Sequence, residues 1–429
     1  MNTTLLLVAI VIFSFAIGRL LTSFVSRFVT LSGAEYLLVG VMMGPHTPWQ
    51  LLGDETLAEL TPLLNLLLGL VGFVVGIQAR RAFQRVDAGV VGLASACTVV
   101  VLCAGLVLPL LTWLLAADES ASTFVIDATL LKVGGYVLRV HIPSQLLWLA
   151  LVLGAAAAVS SPVVVESTRR LSNSQGRVGD VVEAAARASQ LVAIFVLGLV
   201  LASARATDAA NRFAMTITEW ELAAVGIGVV CGLLFGLFVG RESESSRIFL
   251  ATIGLVTFAS GIGSALGISP LFVNLLAGVT VSVASPHADK LREQLTRLAH
   301  PLFVLIMMFA GAMWIPVSGV LWLLPLAYVV VRLISRRAAM SFITGSFLET
   351  PLQTPRLGNG LLAQGTLAPA IALNCALRFA DFEAVVLSTV LVGALVSELW
   401  SQQALRKLLD DAGEIPTGSP TPGASGATP

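Results

Sequence analysis

Residues 155–166 read Ala155-Ala156-Ala157-Ala158-Val159-Ser160-Ser161-Pro162-Val163-Val164-Val165-Glu166. An apolar, helix-forming run is cut by two hydroxyl side chains and a proline, which removes a backbone donor and clashes with the preceding turn. The freed carbonyls and the hydroxyl oxygens have the chemistry to ligate a desolvated cation, and broken helices of this kind mark substrate sites in membrane transporters. Glu166 follows one turn after Pro162, on the same side of the helix. The same letters also describe an ordinary proline kink with Glu166 at the water interface.

The rest of the chain puts this break inside a membrane. Of 429 residues 56% are hydrophobic and only 12% charged, about half the charged share of an ordinary soluble domain. Apolar segments fall at about 4–24, 33–46, 57–77, 88–115, 145–167, 180–203, 219–240, 246–266, 268–286, 298–315, 318–339, 357–378 and 383–401. A bilayer core of about 30 Å needs roughly 20 helical residues, and spanning segments must satisfy their own backbone hydrogen bonds. The fold class expected is therefore all-α, a polytopic membrane protein of about 13 transmembrane helices. The first apolar run has neither a basic start nor a small-residue cleavage site and reads as a retained helix.

Basic residues give the orientation, because cytoplasmic loops hold excess Lys and Arg. The odd-numbered connections and the tail hold 17, among them Arg80, Arg81, Arg85, Arg169, Arg170, Arg177, Arg336, Arg337, Arg406 and Lys407. The even-numbered ones hold five: Lys132, Arg139, Arg205, Arg212 and Arg378. The N-terminus is thus expected outside, the C-terminus in the cytoplasm, and residues 1–408 within one transmembrane domain. Its outer-side insert at 116–144 carries two β-prone runs, Leu130–Val133 and Tyr136–Val140, about Gly134-Gly135, which read as a hairpin. That hairpin is either a contact for a second copy in a homodimer or a solvated loop. Residues 409–429, rich in Pro and Gly, read as a disordered cytoplasmic tail.

Several function classes drop out. With 25 basic and 25 acidic residues nothing points to a nucleic-acid partner. Cys97, Cys103, Cys231 and Cys375 lie singly in apolar runs, as small packing residues do. The chain has no nucleophile–base pair, metal cluster or phosphate loop, so it does not read as an enzyme and implies no cofactor. Nor does it contain a nucleotide-binding regulatory domain; its partner is the lipid bilayer.

Polar interruptions of the apolar segments carry the remaining information. Glu183, Arg187 and Gln190 share one face of the sixth span, where Glu183 and Arg187 pair at i,i+4. Arg332, in the eleventh, is expected near the depth of Glu183 and able to compete for it. These groups either hold helices together or take part in ion movement. Leu361-Leu362-Ala363-Gln364-Gly365-Thr366-Leu367-Ala368-Pro369 is a second small-polar break before a proline. Each break lies one helix before the end of a five-helix set, spans 2–6 and 9–13. Two odd-numbered sets with two helices between them have opposite orientation, which gives inverted five-helix repeats with two broken crossing helices. Gly228, Gly232, Gly236 and Gly240 form a strip for close helix approach.

These residues resemble the monovalent cation:proton antiporter superfamily, especially its potassium-efflux and bacterial sodium/proton branch. Tyr36–Pro45 is similar to that family's short helix ending in Gly-Pro, and Val75-Gly76-Ile77 before Arg80 and Arg81 to its third-helix end. Ser160-Ser161-Pro162-Val163-Val164 resembles the unwound helix. Leu266–Pro270 with Leu276-Ala277-Gly278 is similar to the ninth-helix signature, and Leu361–Gly365 to the start of its Gln-Gly-Gly-Glu run. The resemblance implies a membrane transporter exchanging a monovalent cation for protons. One departure stands out. The family's carrier aspartate falls at Leu191 after Gln190, or at Gln190 after Ser189 in the exchanger-like register, and Leu367 replaces the acid of the second motif.

The leading expectation is a cation:proton antiporter whose ion-binding residues are Ser160, Ser161, Pro162, Glu166, Gln190 and Thr366, with Glu166 taking the carrier role. Glu183, Arg187 and Arg332 would serve ion pairing or proton coupling. Two alternatives stand beside it: a transporter of another solute with Arg187 or Arg332 in its site, and a non-transporting sensor or scaffold.

Overall fold

The computed structural model describes residues 33–45, 52–115, 125–133, 136–206, 215–239, 244–285, 288–347 and 355–416. The expected first span, the Gly134-Gly135 turn, Arg212 and residues 417–429 lie outside the described residues. In chain order the elements are α1 (Ala34–Met43), α2 (Asp54–Glu59), α3 (Thr61–Ile77), α4 (Ala79–Ala82) and α5 (Val86–Leu115). Strands β1 (Val125–Val133) and β2 (Tyr136–Pro143) follow, then α6 (Ser144–Ala158), α7 (Pro162–Leu171), α8 (Arg177–Ala206), α9 (Ile217–Val239) and α10 (Ser245–Leu266). The chain closes with α11 (Pro270–Ala284), α12 (Ala288–Ala312), α13 (Leu323–Phe347), α14 (Leu367–Ala376) and α15 (Glu383–Asp411).

Among the described residues, seven helices are long and apolar enough to cross a membrane, or eight with the bent pair Ala288–Ala299 and Pro301–Ala312. The interrupted α6 and α7 count as one of the seven, Gln145–Leu171. Several segments expected as full spans are shorter: Thr61–Ile77, Pro270–Ala284 and Leu367–Ala376. At about 1.5 Å rise per residue none of these three covers the hydrocarbon core alone. Serine and proline set the starts of two short helices. Pro162 and Pro270 sit in the first turn, and Ser161 and Ser269 accept the N–H of Val164 and Phe272.

The insert forms the expected hairpin, longer than its β-prone runs, with β1 antiparallel to β2 and an irregularity between Thr129 and Leu131. Residues 409–416, expected within the disordered tail, are structured. The last helix continues to Asp411, and Glu414 accepts the N–H of Val178 at 2.6 Å and of Gly179 at 3.1 Å, at the start of α8.

Helix contacts depend on glycine at two places in particular. A Cβ at Gly72 or Gly76 of α3 would lie 2.1 or 2.2 Å from the carbonyl oxygen of Leu271 or Leu275 on α11. Gly278 of α11 meets the Phe73 oxygen in return, at 2.6 Å. The pair α1–α12 repeats this: a Cβ at Gly40 would lie 2.0 Å from the Met308 oxygen, and one at Gly311 2.1 Å from the Leu37 oxygen. The glycine strip on α9 divides. Gly228 and Gly232 pack on α11, whereas a Cβ at Gly236 would meet nothing within 4 Å.

Overpacking a tight core costs about 1–3 kcal/mol. Gly72→Val is therefore expected to lower the thermal unfolding midpoint of the detergent-purified protein clearly, and Gly236→Val to leave it unchanged. Equal midpoints would show that α3 and α11 do not meet at Gly72.

Candidate functional site

The site grows from the last turn of α6. Ala155, Ala156, Ala157 and Ala158 are all fully buried, which leaves room for neighbouring backbone. The chain leaves the helix at Val159, crosses Ser160 and Ser161, and restarts at Pro162. The carbonyls of Ala157, Ala158 and Val159 thus lose their helical donors inside an apolar core, where an unpaired polar group is costly.

The second break meets the first. A 3-10 turn over Pro355–Leu361 leads into Leu362–Thr366, and α14 restarts at Leu367. The Ser161 N–H donates to the Ala363 carbonyl at 2.8 Å, and the Ser160 hydroxyl to the Leu361 carbonyl at 2.8 Å. Gln364 Nε2 reaches back to the Ala156 carbonyl at 2.9 Å. Gly365 has φ +58°, and a Cβ there would sit 2.7 Å from Ser161 Oγ, so glycine is required twice over. The two breaks are locked to each other by hydrogen bonds to main-chain carbonyls in both directions.

Two guanidinium groups complete the crossing. Arg332 and Arg336 lie one turn apart on α13 and are 2% and 1% exposed. Arg332 donates from Nε to the Ala157 carbonyl (3.2 Å), from Nη2 to Val159 (3.1 Å) and from Nη1 to Ser397 Oγ (3.0 Å). Arg336 Nη2 donates to Ala157 (3.2 Å), Val159 (2.7 Å) and Ala158. Like charges at i,i+4 ordinarily repel. Here both face the carbonyl end of α6, whose partial negative charge favours cations. Arg336 keeps Nε and Nη1 buried without a hydrogen-bond partner among the described residues.

A carboxylate stands on the other side. Glu398, on α15, accepts the backbone N–H of Gln364 and Gly365, and its Oε2 is buried without a hydrogen-bond partner among the described residues.

The residues expected from sequence divide into groups. Ser160, Ser161, Pro162 and Arg332 are at the crossing, but the serines are occupied by the interlock and by capping. Thr366 stands at the N-cap position of α14 without a side-chain cap. Glu166, expected as carrier, is not brought into the crossing: its side chain is 43% exposed and pairs with Arg170 at 2.5 Å. Glu183 and Arg187 pair as expected, at 2.7 Å. Arg332 does not compete for Glu183, which is held instead by Arg169 at 2.8 Å. Arg169 also bridges to Asp180 (2.7 Å), and Asp180 to Arg85 (2.8 Å). Gln190 is half-buried on α8, while Ser189 is buried with its hydroxyl on the Ala186 carbonyl.

Sequence reading missed two residues. Arg336, counted with Arg337 as a cytoplasmic loop pair, is inside α13; its i,i+4 spacing from Arg332 was the available signal. Glu398 is the only charged side chain between Glu383 and Arg406, but the expected end of that span at 401 put it near water.

Two chain breaks that meet inside a multi-pass membrane protein, with charged groups gathered on them, are what the site of a secondary transporter is built from. The family described as sodium/hydrogen exchanger, transmembrane, matches residues 36–405, and the chain belongs to that family of membrane cation:proton antiporters. No curated protein sequence matches the chain. Among solved structures it is similar to the sodium/proton antiporter MjNhaP1 from Methanocaldococcus jannaschii at pH 8, with 12% identity and a TM-score of 0.67 over 96% of this chain and 99% of that one. An electron-microscopy map of MjNhaP1 gives 12% identity and 0.61, covering 97% and 99%. At this identity the likeness is one of fold.

Removing a donor from buried carbonyls costs about 1–3 kcal/mol. Arg336→Met is expected to lower the unfolding midpoint in detergent, and Arg336→Lys to recover part of the loss. Arg337→Ala, at an exposed neighbour, should change stability by less than about 0.5 kcal/mol. Indistinguishable midpoints for the Arg336→Met variant and wild type would remove the guanidinium from the account of the crossing.

Proposed function

We propose that this antiporter works by alternating access, with the crossing of the two interrupted helices as its ion site and a monovalent cation as its cargo. The observation that carries this reading is the cluster of carbonyls from Ala157, Ala158 and Val159, converging where the breaks meet and held by guanidinium donors. Carbonyls freed from a helix end are good ligands for a hard, desolvated cation. A cation entering here replaces the guanidinium groups one donor at a time, so the carbonyls are never left bare.

Reciprocal contacts support the inverted five-helix repeats. If α1 corresponds to α11 and α3 to α12, exchanging the halves turns the α1–α12 contact into the α11–α3 contact. Both contacts are glycine against carbonyl, in both directions. The crossing has the same character, with Ser161 on Ala363 answered by Gln364 on Ala156. The proposed count of about thirteen spans takes in the long helices, the bent pair, the shorter apolar helices, α1 and the apolar run at 4–24. With Arg336 taken out of the loops, the bias of basic residues is still 16 to five and favours an outside N-terminus and a cytoplasmic C-terminus in the plasma membrane.

One observation favours a second reading, transport of another solute. With Glu398 ionised, Arg332 and Arg336 still leave one net positive charge at the crossing, and Arg336 has spare buried donors. That arrangement suits an anion.

In liposomes with a preset pH gradient, the antiport reading predicts saturable proton movement on pulses of Na⁺, K⁺ or Li⁺. Proton movement that follows the anion and ignores the cation would transfer the assignment to the second reading.

A further inference from the structure

Glu398 is a carboxylate beside the second break with one oxygen left unused among the described residues. Its carboxylate is anchored by the N–H groups of Gln364 and Gly365, while Oε2 is buried and unpartnered among the described residues. Ser397, the preceding residue, takes Nη1 of Arg332 at 3.0 Å, and Arg332 is the charged group that acts on the carboxylate.

The other titratable groups on elements packed against α15 are engaged elsewhere or distant in the chain. On α13, Arg336 holds the first-break carbonyls and Tyr328 faces Gln364. On α7, Glu166 pairs with Arg170, and Arg169 with Asp180 and Glu183. The cysteine of α14 is Cys375, near its far end, and Asp381 precedes α15 by two residues. Arg356, in the 3-10 turn, has its side chain outside the described residues. Ionisable groups inside spanning segments are costly, and those found there characteristically face a transport pathway or a partner.

We propose that Glu398 is the proton-carrying carboxylate of this exchanger, ionised while a cation takes the place of Arg332 on the Ala157 and Val159 carbonyls and protonated while Arg332 holds them. The proposal rests on the antiport reading of the crossing. On one side of the membrane the Glu398 carboxyl gives its proton to water. The carboxylate left behind draws the Arg332 guanidinium off Ala157 and Val159, and the cation takes those carbonyls. On the other side a proton from water bonds to the carboxylate, Arg332 returns, and the cation leaves. One proton moves for one cation, and the net charge of the crossing is the same in both states. Arg332 thus couples the two occupants without being transported.

The test compares wild type, Glu398→Gln and Glu398→Asp in the same liposome assay, with infrared spectra of the purified proteins on adding Na⁺ or K⁺ at constant pH. Gln keeps an oxygen acceptor for the Gln364 and Gly365 N–H groups, so a merely structural role predicts that exchange survives it. The proposal predicts loss of cation-dependent proton movement in Glu398→Gln and exchange with a shifted pH profile in Glu398→Asp. It also predicts a protonated-carboxyl band that cations abolish in wild type and that is missing in Glu398→Gln. Exchange retained by Glu398→Gln would overturn the role of Glu398 and leave antiport standing. A wild type that moves no protons with any cation would overturn antiport itself, and this proposal with it.

Discussion

Everything at the centre of this molecule follows from three backbone carbonyls that have lost their helical donors. Pro162 prevents α6 from continuing, so Ala157, Ala158 and Val159 end a helix inside a core with no water to solvate them. Two guanidinium groups from α13 satisfy them, and this choice of donor has consequences. In the proposed exchange this matters, because a guanidinium is a cation on a flexible stem and suits the partial negative charge of the helix end as a transported cation would.

The remainder of the fold keeps that junction in place. Serines that look like ligands in the sequence are spent on construction: Ser160 on the Leu361 carbonyl, Ser161 on the cap of α7. Gly365 lets the second strand of the crossing pass within reach of Ser161. The glycine-on-carbonyl contacts of α3 with α11 and of α1 with α12 hold the short helices beside it. A related device recurs at the α10–α11 break, where Arg378 Nη2 donates to the Ile268 carbonyl at 3.0 Å and Asn374 to Ser269 Oγ at 2.7 Å. The ion-pair network of Arg85, Arg169, Asp180, Glu183 and Arg187 lies apart and ties α7 and α8 together.

Much of this was legible in the sequence, and what was not has physical causes. Ser160-Ser161-Pro162 and Gln364-Gly365 announce their breaks, because proline and positive-φ glycine act locally. That the two breaks meet is seen in their mutual hydrogen bonds, Ser161 on Ala363 and Gln364 on Ala156. The surroundings of Glu166 were not legible, because spacing from a proline gives a side of a helix but not what that side faces; here it pairs with Arg170 and is partly exposed. Arg336 was hidden by its neighbour Arg337, since a pair of arginines after an apolar run reads as a loop, and only three-dimensional packing separates the buried one from the exposed one. Glu398 was hidden by helix length. The span continues ten residues beyond its apolar stretch, to Asp411, so a residue that looks terminal in hydropathy lies well inside the helix.

The most direct test of the guanidinium-for-cation exchange is an electron-microscopy structure of the protein in saturating Na⁺ or K⁺ at alkaline pH, beside one at acidic pH without either. The account predicts ion density on the Ala157 and Val159 carbonyls in the first, with Arg332 moved toward Glu398, and guanidinium groups on those carbonyls in the second. Guanidinium groups unmoved in both, with the ion bound elsewhere, would contradict it.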